Sequence, residues 1–453
     1  MTFATSYKSR VPSYAIDVIA SGRIRRGWAA FDLDKKFKCS TAGLESYAFA
    51  RWEPVIYDAM VVAASVEFAD RSYTRPELGW RRNFALRVPV LEPARWRDNA
   101  TYNALQDAVS FLTGDDWSFE FVQRDGPTPQ PSQNSLMFNI TTDAVIAFSD
   151  GMDSRAVAGL AGQNIGRRLV RVRVGSKAGG RPTCKEPVPF ATVPYSVKVA
   201  GETSARSRGF KFSLIGGIAA YLAEADEILL PESGQGIFGP ALVTATTQAY
   251  PDYRNHPLFT VRMEKFLAAL LKRPVRFVFP RLWSTKGETL KAYAALPGSE
   301  DWRETRSCWR NARHCSLNKH LLQCGACAAC MLRRMSIHAA GLFDDNSAYV
   351  CSNLSAVSFD EGVQDGFTQM NRAFREYAIA GTQHLDHMAD LILPAHRPVL
   401  RRHSVLVGRA LDQPATEVEA LLVGMFERHA IEWDSFLKHM GASSFLRQWT
   451  RAE

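Results

Sequence analysis

Apolar and polar positions change rhythm twice along this chain. Near its start the period is two: Phe84, Leu86, Val88 and Val90 alternate with smaller or polar residues, and Trp117, Phe119 and Phe121 repeat the pattern in WSFEF. Such alternation marks a strand with one face against a core. Between them Leu105, Ala108, Val109 and Leu112 fall at helical spacing. The mixture predicts a small α+β domain over residues 1–135, closed by the turn-rich stretch DGPTPQPSQNS at 125–135.

Over residues 141–296 the alternation gives way to near-continuous apolar runs, AVIAF, RLVRVRV, YSVKV, EILLP and VRFVFP, with helical patterns such as FSLIGGIAAYLAEA and MEKFLAALLKR between several of them. Strands covered on both faces lose their polar positions, so this region predicts an α/β fold with a doubly wound parallel sheet, within residues 136–345. Ligands of such sheets bind beyond the carboxyl ends of the strands, which gives weight to any motif directly after a strand. Residues 346–453 read as a mainly helical extension. There Val418, Leu421, Leu422, Met425 and Phe426 share one helix face, and Thr416 with Glu419 spells a T-x-x-E capping box. His384 and His387, in TQHLDHMAD, read as a solvated helix face.

Composition narrows the class. With 453 residues, 46% hydrophobic, the chain can bury a large core, which excludes disorder and a small disulfide scaffold. No apolar stretch reaches the roughly 18 residues of a membrane span, and the start lacks a cationic segment followed by an apolar one, so the expectation is a cytoplasmic protein without a membrane partner. The net charge of +9 is spread along the chain; runs such as Arg23-Ile24-Arg25-Arg26 and Arg401-Arg402-His403 read as solvated edges, so nucleic acid is not the expected partner. Cysteine is less evenly distributed. Five of eight, Cys308, Cys315, Cys324, Cys327 and Cys330, fall in one short segment, whereas Cys39, Cys184 and Cys351 stand apart as ordinary thiols. Cys324, Cys327 and Cys330 form a C-G-x-C thiolate knuckle with a third thiolate three residues on, a structural zinc pattern whose fourth ligand comes from Cys308, Cys315 or His314.

The strongest local motif is AVIAFSDGMDSRAVAGLAG. A buried strand ends at Phe148, the turn SDGMDS follows, and a helix begins near Ser154, so backbone N–H groups and a helix N-terminus converge on one anion site. Ser149 and Ser154 add hydroxyls, Gly151 lets a ligand approach the backbone, and Asp153 suits Mg²⁺ or a helix cap. Glu232-Ser233-Gly234 follows another strand and borders the same edge.

At this strand–turn–helix the chain resembles the PP-loop ATPases (adenine nucleotide α-hydrolase-like), whose loop reads SGGxDS; Asp150 stands where that family has glycine. Further segments resemble the QueC-type 7-cyano-7-deazaguanine synthases: SARSRGF, keeping Ala205, Arg206 and Phe210; Tyr250-Pro251-Asp252-Tyr253-Arg254; and Thr285-Lys286-Gly287-Glu288. The resemblance implies ATP binding at Ser149, Gly151, Met152, Asp153 and Ser154, catalytic charge stabilisation by Arg206 and Lys286, and substrate binding by Tyr250, Asp252 and Arg254. Its S-C element and Thr305 favour Cys308 as fourth zinc ligand, while the eight-residue gap after Cys315 fits its spacing; Arg333 matches its C-x-x-R tail. Implied cofactors are ATP, Mg²⁺ and Zn²⁺. The implied chemistry is adenylation of 7-carboxy-7-deazaguanine followed by amide formation. The added length at both ends points to the larger QueC-like proteins of bacterial anti-phage defence, thought to modify a partner protein's N-terminus. A homodimer is compatible with this reading. The rivals are a plain nitrile synthase, a tRNA-modifying PP-loop enzyme and a scaffold with a degenerate loop.

Overall fold

The structure, a computed structural model, describes residues 11–20, 24–42, 53–76, 79–125, 141–149, 151–175, 190–199, 201–202, 204–243, 250–310 and 312–450. Asp150, Cys184 and nearly all of the turn-rich stretch at 125–135 lie outside the described residues. None of the described helices is long and apolar enough to cross a membrane.

The central sheet has five strands in the spatial order Arg276–Val278, Glu227–Leu229, Ala144–Ala147, Leu169–Val174, Phe190–Val193, every neighbouring pair parallel. From Ala144–Ala147 the chain winds outward through two strands, then returns to add two on the other side. The switch point therefore lies between Ala144–Ala147 and Glu227–Leu229, where a doubly wound sheet opens its ligand crevice. The two faces are covered separately. Val145, Val170 and Val172 join the core of helices Arg208–Leu222 and Pro257–Leu271, while Ala144 and Ile146 face Val157 and Ala158 of helix Met152–Ile165.

One of the apolar runs is divided differently from its sequence reading. YSVKV is not a strand of the central sheet: Tyr195–Val197 pairs antiparallel with Phe37–Cys39, and the edge strand is Phe190–Val193. Pro194 separates them. Lacking an N–H, it cannot continue a ladder, and its carbonyl instead accepts from the Ser40 amide at 2.9 Å.

The N-terminal region is α/β, not α+β. Its four strands, in the order Ala29–Asp32, Ser13–Ile19, Asn83–Val90, Asp116–Gln123, are all parallel. Parallel neighbours need crossovers, and helices Pro54–Ser72 and Asn99–Thr113 supply two of them. The two-residue alternation arises because one face of this sheet is less buried, alternate residues being partly or fully exposed both on the internal strand Asn83–Val90 and on the edge strand Asp116–Gln123, not because the sheet is antiparallel.

After the cysteine segment, helices Arg372–Asp390, Arg397–Leu411 and Ala415–Met440 bury a core that includes Cys315, Cys324, Cys327 and Cys330. Two expectations fail here. Helix Ala415–Met440 has Pro414 at its N-cap, so Thr416 lies inside the first turn and caps nothing. His384 is buried, not solvated, and burial lowers its pKa to about 4. The capping box that forms is Thr285 with Glu288, on helix Lys286–Ala294.

Candidate functional site

Two turns meet at the switch point. In the first, the Ser154 hydroxyl lies 2.9 Å from the Ser149 carbonyl and 3.0 Å from that of Gly151, and accepts from the Ser149 amide at 3.1 Å; the Gly151 amide donates to the Ser149 hydroxyl at 3.1 Å. Gly151 is the N-cap of helix Met152–Ile165, and no side chain caps that end. In the second, Ser233 is the N-cap of helix Gly234–Leu242. A Cβ on Gly234 would sit 2.2 Å from the Leu282 carbonyl oxygen, so only glycine lets this turn lie against the segment that leads to Lys286.

Lys286, the first residue of its helix, reaches across the crevice and pairs with Asp153. Its own amide is held by the side-chain oxygen of Gln235, at 2.7 Å. Glu232 feels the charges of this ion pair and of Arg254 in the next cluster. Burial and the Asp153 charge push its carboxyl up to about 8, against the opposing pull of Lys286 and Arg254.

The second cluster centres on Asp252. Its carboxylate pairs with Arg206 at 2.9 Å and with Arg254, whose Nε donates at 2.8 Å. Burial alone would raise this carboxyl, but the two guanidiniums override it and hold Asp252 at about 2. Arg206 also donates to the Tyr250 carbonyl at 2.8 Å, and the Tyr250 hydroxyl donates to the Phe111 carbonyl in the N-terminal region. Every described residue expected at the site therefore falls into one of two groups, Ser149, Gly151, Met152, Asp153, Ser154 and Lys286 in one, Arg206, Tyr250, Asp252 and Arg254 in the other. Glu232 feels charges from both.

The sulfurs of Cys308, Cys324, Cys327 and Cys330 all lie within 4.8 Å of one another. Cys324 Sγ and Cys330 Sγ are 3.7 Å apart, close to the roughly 3.8 Å edge of a tetrahedron with 2.3 Å zinc–sulfur bonds. Backbone amides support them: the Cys324 amide donates to the Cys308 sulfur at 3.2 Å and the Cys327 amide to the Cys324 sulfur at 3.3 Å. The donor set fits Zn²⁺, and four thiolates leave no open position for catalysis. Cys315 is buried beside Cys308 but stands outside the group, and His314 is exposed, its ring 3.3 Å from Gln369. Arg333, on helix Ala328–Ala339, bonds the Trp302 carbonyl and the Thr305 hydroxyl, tying the knuckle to the segment that delivers Cys308.

Residues 232–341 match the family model described as Queuosine biosynthesis protein QueC. The chain is QueC-like. No curated protein and no solved structure matches it. The QueC match runs from Glu232 through Asp252, Lys286 and the four cysteines, and leaves the Ser149–Ser154 turn and Arg206 upstream of it. Three residues that hold the candidate site carry no motif. Asp70, Gln235 and Glu432 act on partners far away in the chain: Asp70 on the amide of Arg206, Gln235 on that of Lys286, Glu432 on the hydroxyl of Thr285.

Proposed function

We propose that this chain is a zinc-containing PP-loop enzyme that uses ATP to adenylate 7-carboxy-7-deazaguanine and then forms an amide with an amine. The observation that carries this reading is the meeting of the Ser149–Ser154 turn with Lys286 at the switch point, half of it inside the QueC-matching stretch. A carboxylate oxygen of the acid attacks the α-phosphorus of ATP and pyrophosphate leaves. The amine nitrogen then attacks the acyl carbon, AMP leaves, and the nitrogen gives up a proton. Two anions must be held together in the first step, which calls for fixed cations. Lys286 is the one nearest the turn, with Asp153 the carboxylate that would hold Mg²⁺ there. Arg206 and Arg254 flank Asp252, whose ionised acceptor oxygens suit the ring N–H and amino groups of a guanine-like edge. Zinc held by Cys308, Cys324, Cys327 and Cys330 would close the knuckle structurally.

In the fuller form of this proposal the amine is the N-terminus of a partner protein, in anti-phage defence. The regions on either side of the α/β core, residues 1–135 and 346–453, support it, being larger than free ammonia requires. Wild-type protein should exchange pyrophosphate into ATP only when 7-carboxy-7-deazaguanine is present, and the operon partner should gain the mass of the acyl group. Accumulation of free nitrile with an unshifted partner would return the chain to the plain synthases. Absence of exchange with any deazaguanine acid would leave a non-catalytic scaffold, and a salt-dependent tRNA complex would favour tRNA modification.

A further inference from the structure

We infer that Asp70 is the positioning residue for Arg206, and that the N-terminal region thereby shapes the acid-substrate site. The inference rests on the adenylation reading above. Asp70 lies in the last turn of helix Pro54–Ser72 and is fully buried. One carboxylate oxygen accepts from the backbone amides of Arg206 and Ser207, at 2.7 and 2.8 Å. The other faces the guanidiniums of Arg82 at 2.6 Å and Arg75 at 3.2 Å. Arg82, also fully buried, grips Asp115 at 2.8 Å and the carbonyls of Asp70 and Tyr73 at 3.0 and 2.6 Å.

The geometry matters for what Arg206 can do. Ser207 is the N-cap of helix Arg208–Leu222 and uses no side chain as a cap. Asp70, from another part of the chain, does the capping. Two successive amides bonded to one oxygen fix the main chain on both sides of the Arg206 Cα, so the side chain leaves the backbone in a set direction. Its guanidinium goes to Asp252 and the Tyr250 carbonyl. The N-terminal region also walls this guanidinium: it lies 5.3 Å from the Trp80 ring centre, with Arg75 on the same ring at 3.9 Å, and the Trp80 indole N–H is tied to the Thr113 carbonyl at 2.7 Å. Gly114, at φ +71°, is needed for the approach, because a Cβ there would lie 2.9 Å from both Trp80 and Tyr250. An anchor with this reach sets the position of a cation at the candidate site without touching substrate.

The test compares full-length wild type, Asp70→Ala and Asp70→Asn, with Arg87→Gln, in the N-terminal sheet and paired among the described residues with Asp17 and Glu120, as control. Two readouts are taken. Hydrogen exchange at the Arg206 and Ser207 amides should accelerate by roughly tenfold or more in Asp70→Ala, and less in Asp70→Asn, which keeps an acceptor, while amides in the middle of helix Arg208–Leu222 stay as in wild type. In pyrophosphate exchange, KM for the deazaguanine acid should rise about tenfold with KM for ATP and zinc content unchanged; a merely structural loss would lower the active fraction and leave both KM values alone. If Asp70→Ala does not fold, Asp70→Asn carries both measurements. Unchanged amide exchange in the folded variants overturns the inference whatever the substrate. Faster amide exchange with an unshifted acid KM overturns it as well. Faster amide exchange in a protein whose wild type shows no pyrophosphate exchange supports the anchor and overturns only the adenylation reading.

Discussion

Asp70 and Gln235 each hold the backbone of a cation-bearing turn, one with a charge and the other without. Asp70 belongs to a buried knot of two carboxylates and two guanidiniums, Asp70, Asp115, Arg75 and Arg82, on the N-terminal side of the site. Gln235 belongs to a network of neutral or titratable groups brought in by helix Ala415–Met440. Its amide nitrogen lies 2.8 Å from His429 Nδ1 and 3.4 Å from Glu432, and Glu432 accepts from the Thr285 hydroxyl. Because His429 accepts at Nδ1, its Nε2 carries the proton donated to the Leu385 carbonyl at 2.9 Å. The ionic anchor is strong and intolerant of losing a member. The neutral one is weaker and open to pH.

Removing one charge from the knot should therefore have the largest effect on stability. Asp70→Ala leaves Arg82 facing Asp115 with a guanidinium edge uncompensated, and a broken buried pair costs about 3–5 kcal/mol. Urea unfolding of Asp70→Ala against wild type measures it. The double variant Asp70→Asn with Arg82→Met should recover part of the loss, since it removes both charges of one pair. A loss below about 1 kcal/mol in Asp70→Ala would place the knot among ordinary surface ion pairs.

Acid should act on the other anchor. Burial lowers His384, His403 and His429 to about 4, below the usual 6.5. A histidine depressed in this way contributes stability that is complete above about 6.5 and lost as pH falls through about 4, up to about 3 kcal/mol for the fully buried His429. Glu432 has the opposite sign. Burial raises it to about 7, despite the hydrogen bonds from Thr285 and Gln235, so its contribution is complete below about 4.5 and lost as pH rises through about 7. Thermal unfolding of Glu432→Gln across this range should show the rise from the histidines without the opposing fall. If the wild-type and Glu432→Gln profiles are parallel, Glu432 is not titrating in the network.

These effects also explain what the sequence could and could not show. The Ser149–Ser154 turn was legible because its strand, turn and helix are contiguous and its bonds are local. The knuckle was legible for the same reason, with Cys308 the one ligand that needed a family pattern. Asp70, Gln235 and Glu432 were not, since their partners lie 136, 51 and 147 residues away. Helix Pro54–Ser72 was missed on other grounds. It is buried on nearly every side between the N-terminal sheet and helix Arg208–Leu222, so it shows no amphipathic stripe for a periodicity to find. Two of the four N-terminal strands, Asn83–Val90 and Asp116–Gln123, were found, but their direction was not, because alternation reports which face is wet and says nothing of parallel or antiparallel.

Next in size comes Gln235→Ala. It leaves the Lys286 amide and His429 Nδ1 without partners in a buried setting, at about 1–3 kcal/mol. The functional consequence should fall on the nucleotide side, where Lys286 pairs with Asp153. Raised KM for ATP with KM for the acid unchanged would mirror the result expected for Asp70 and separate the two half-sites. A shift of both constants together would show that the anchors serve one undivided site.

The smallest effect tests which threonine caps a helix. Thr285 and Thr416 both begin a T-x-x-E sequence, yet only Thr285 makes the reciprocal bonds, its hydroxyl accepting from the Glu288 amide at 3.0 Å and its amide donating to the Glu288 side chain at 2.8 Å. Thr285→Ala removes that cap and the donor to Glu432, so it should cost about 1–2 kcal/mol. Thr416→Ala, on the exposed first turn after Pro414, should change stability by less than about 0.5 kcal/mol. Thr285→Ser keeps both hydroxyl bonds and should restore most of the loss. Equal costs for the two alanine variants would mean that the cap at Lys286 adds nothing beyond helix propensity, and the neutral anchor would then reduce to Gln235 alone.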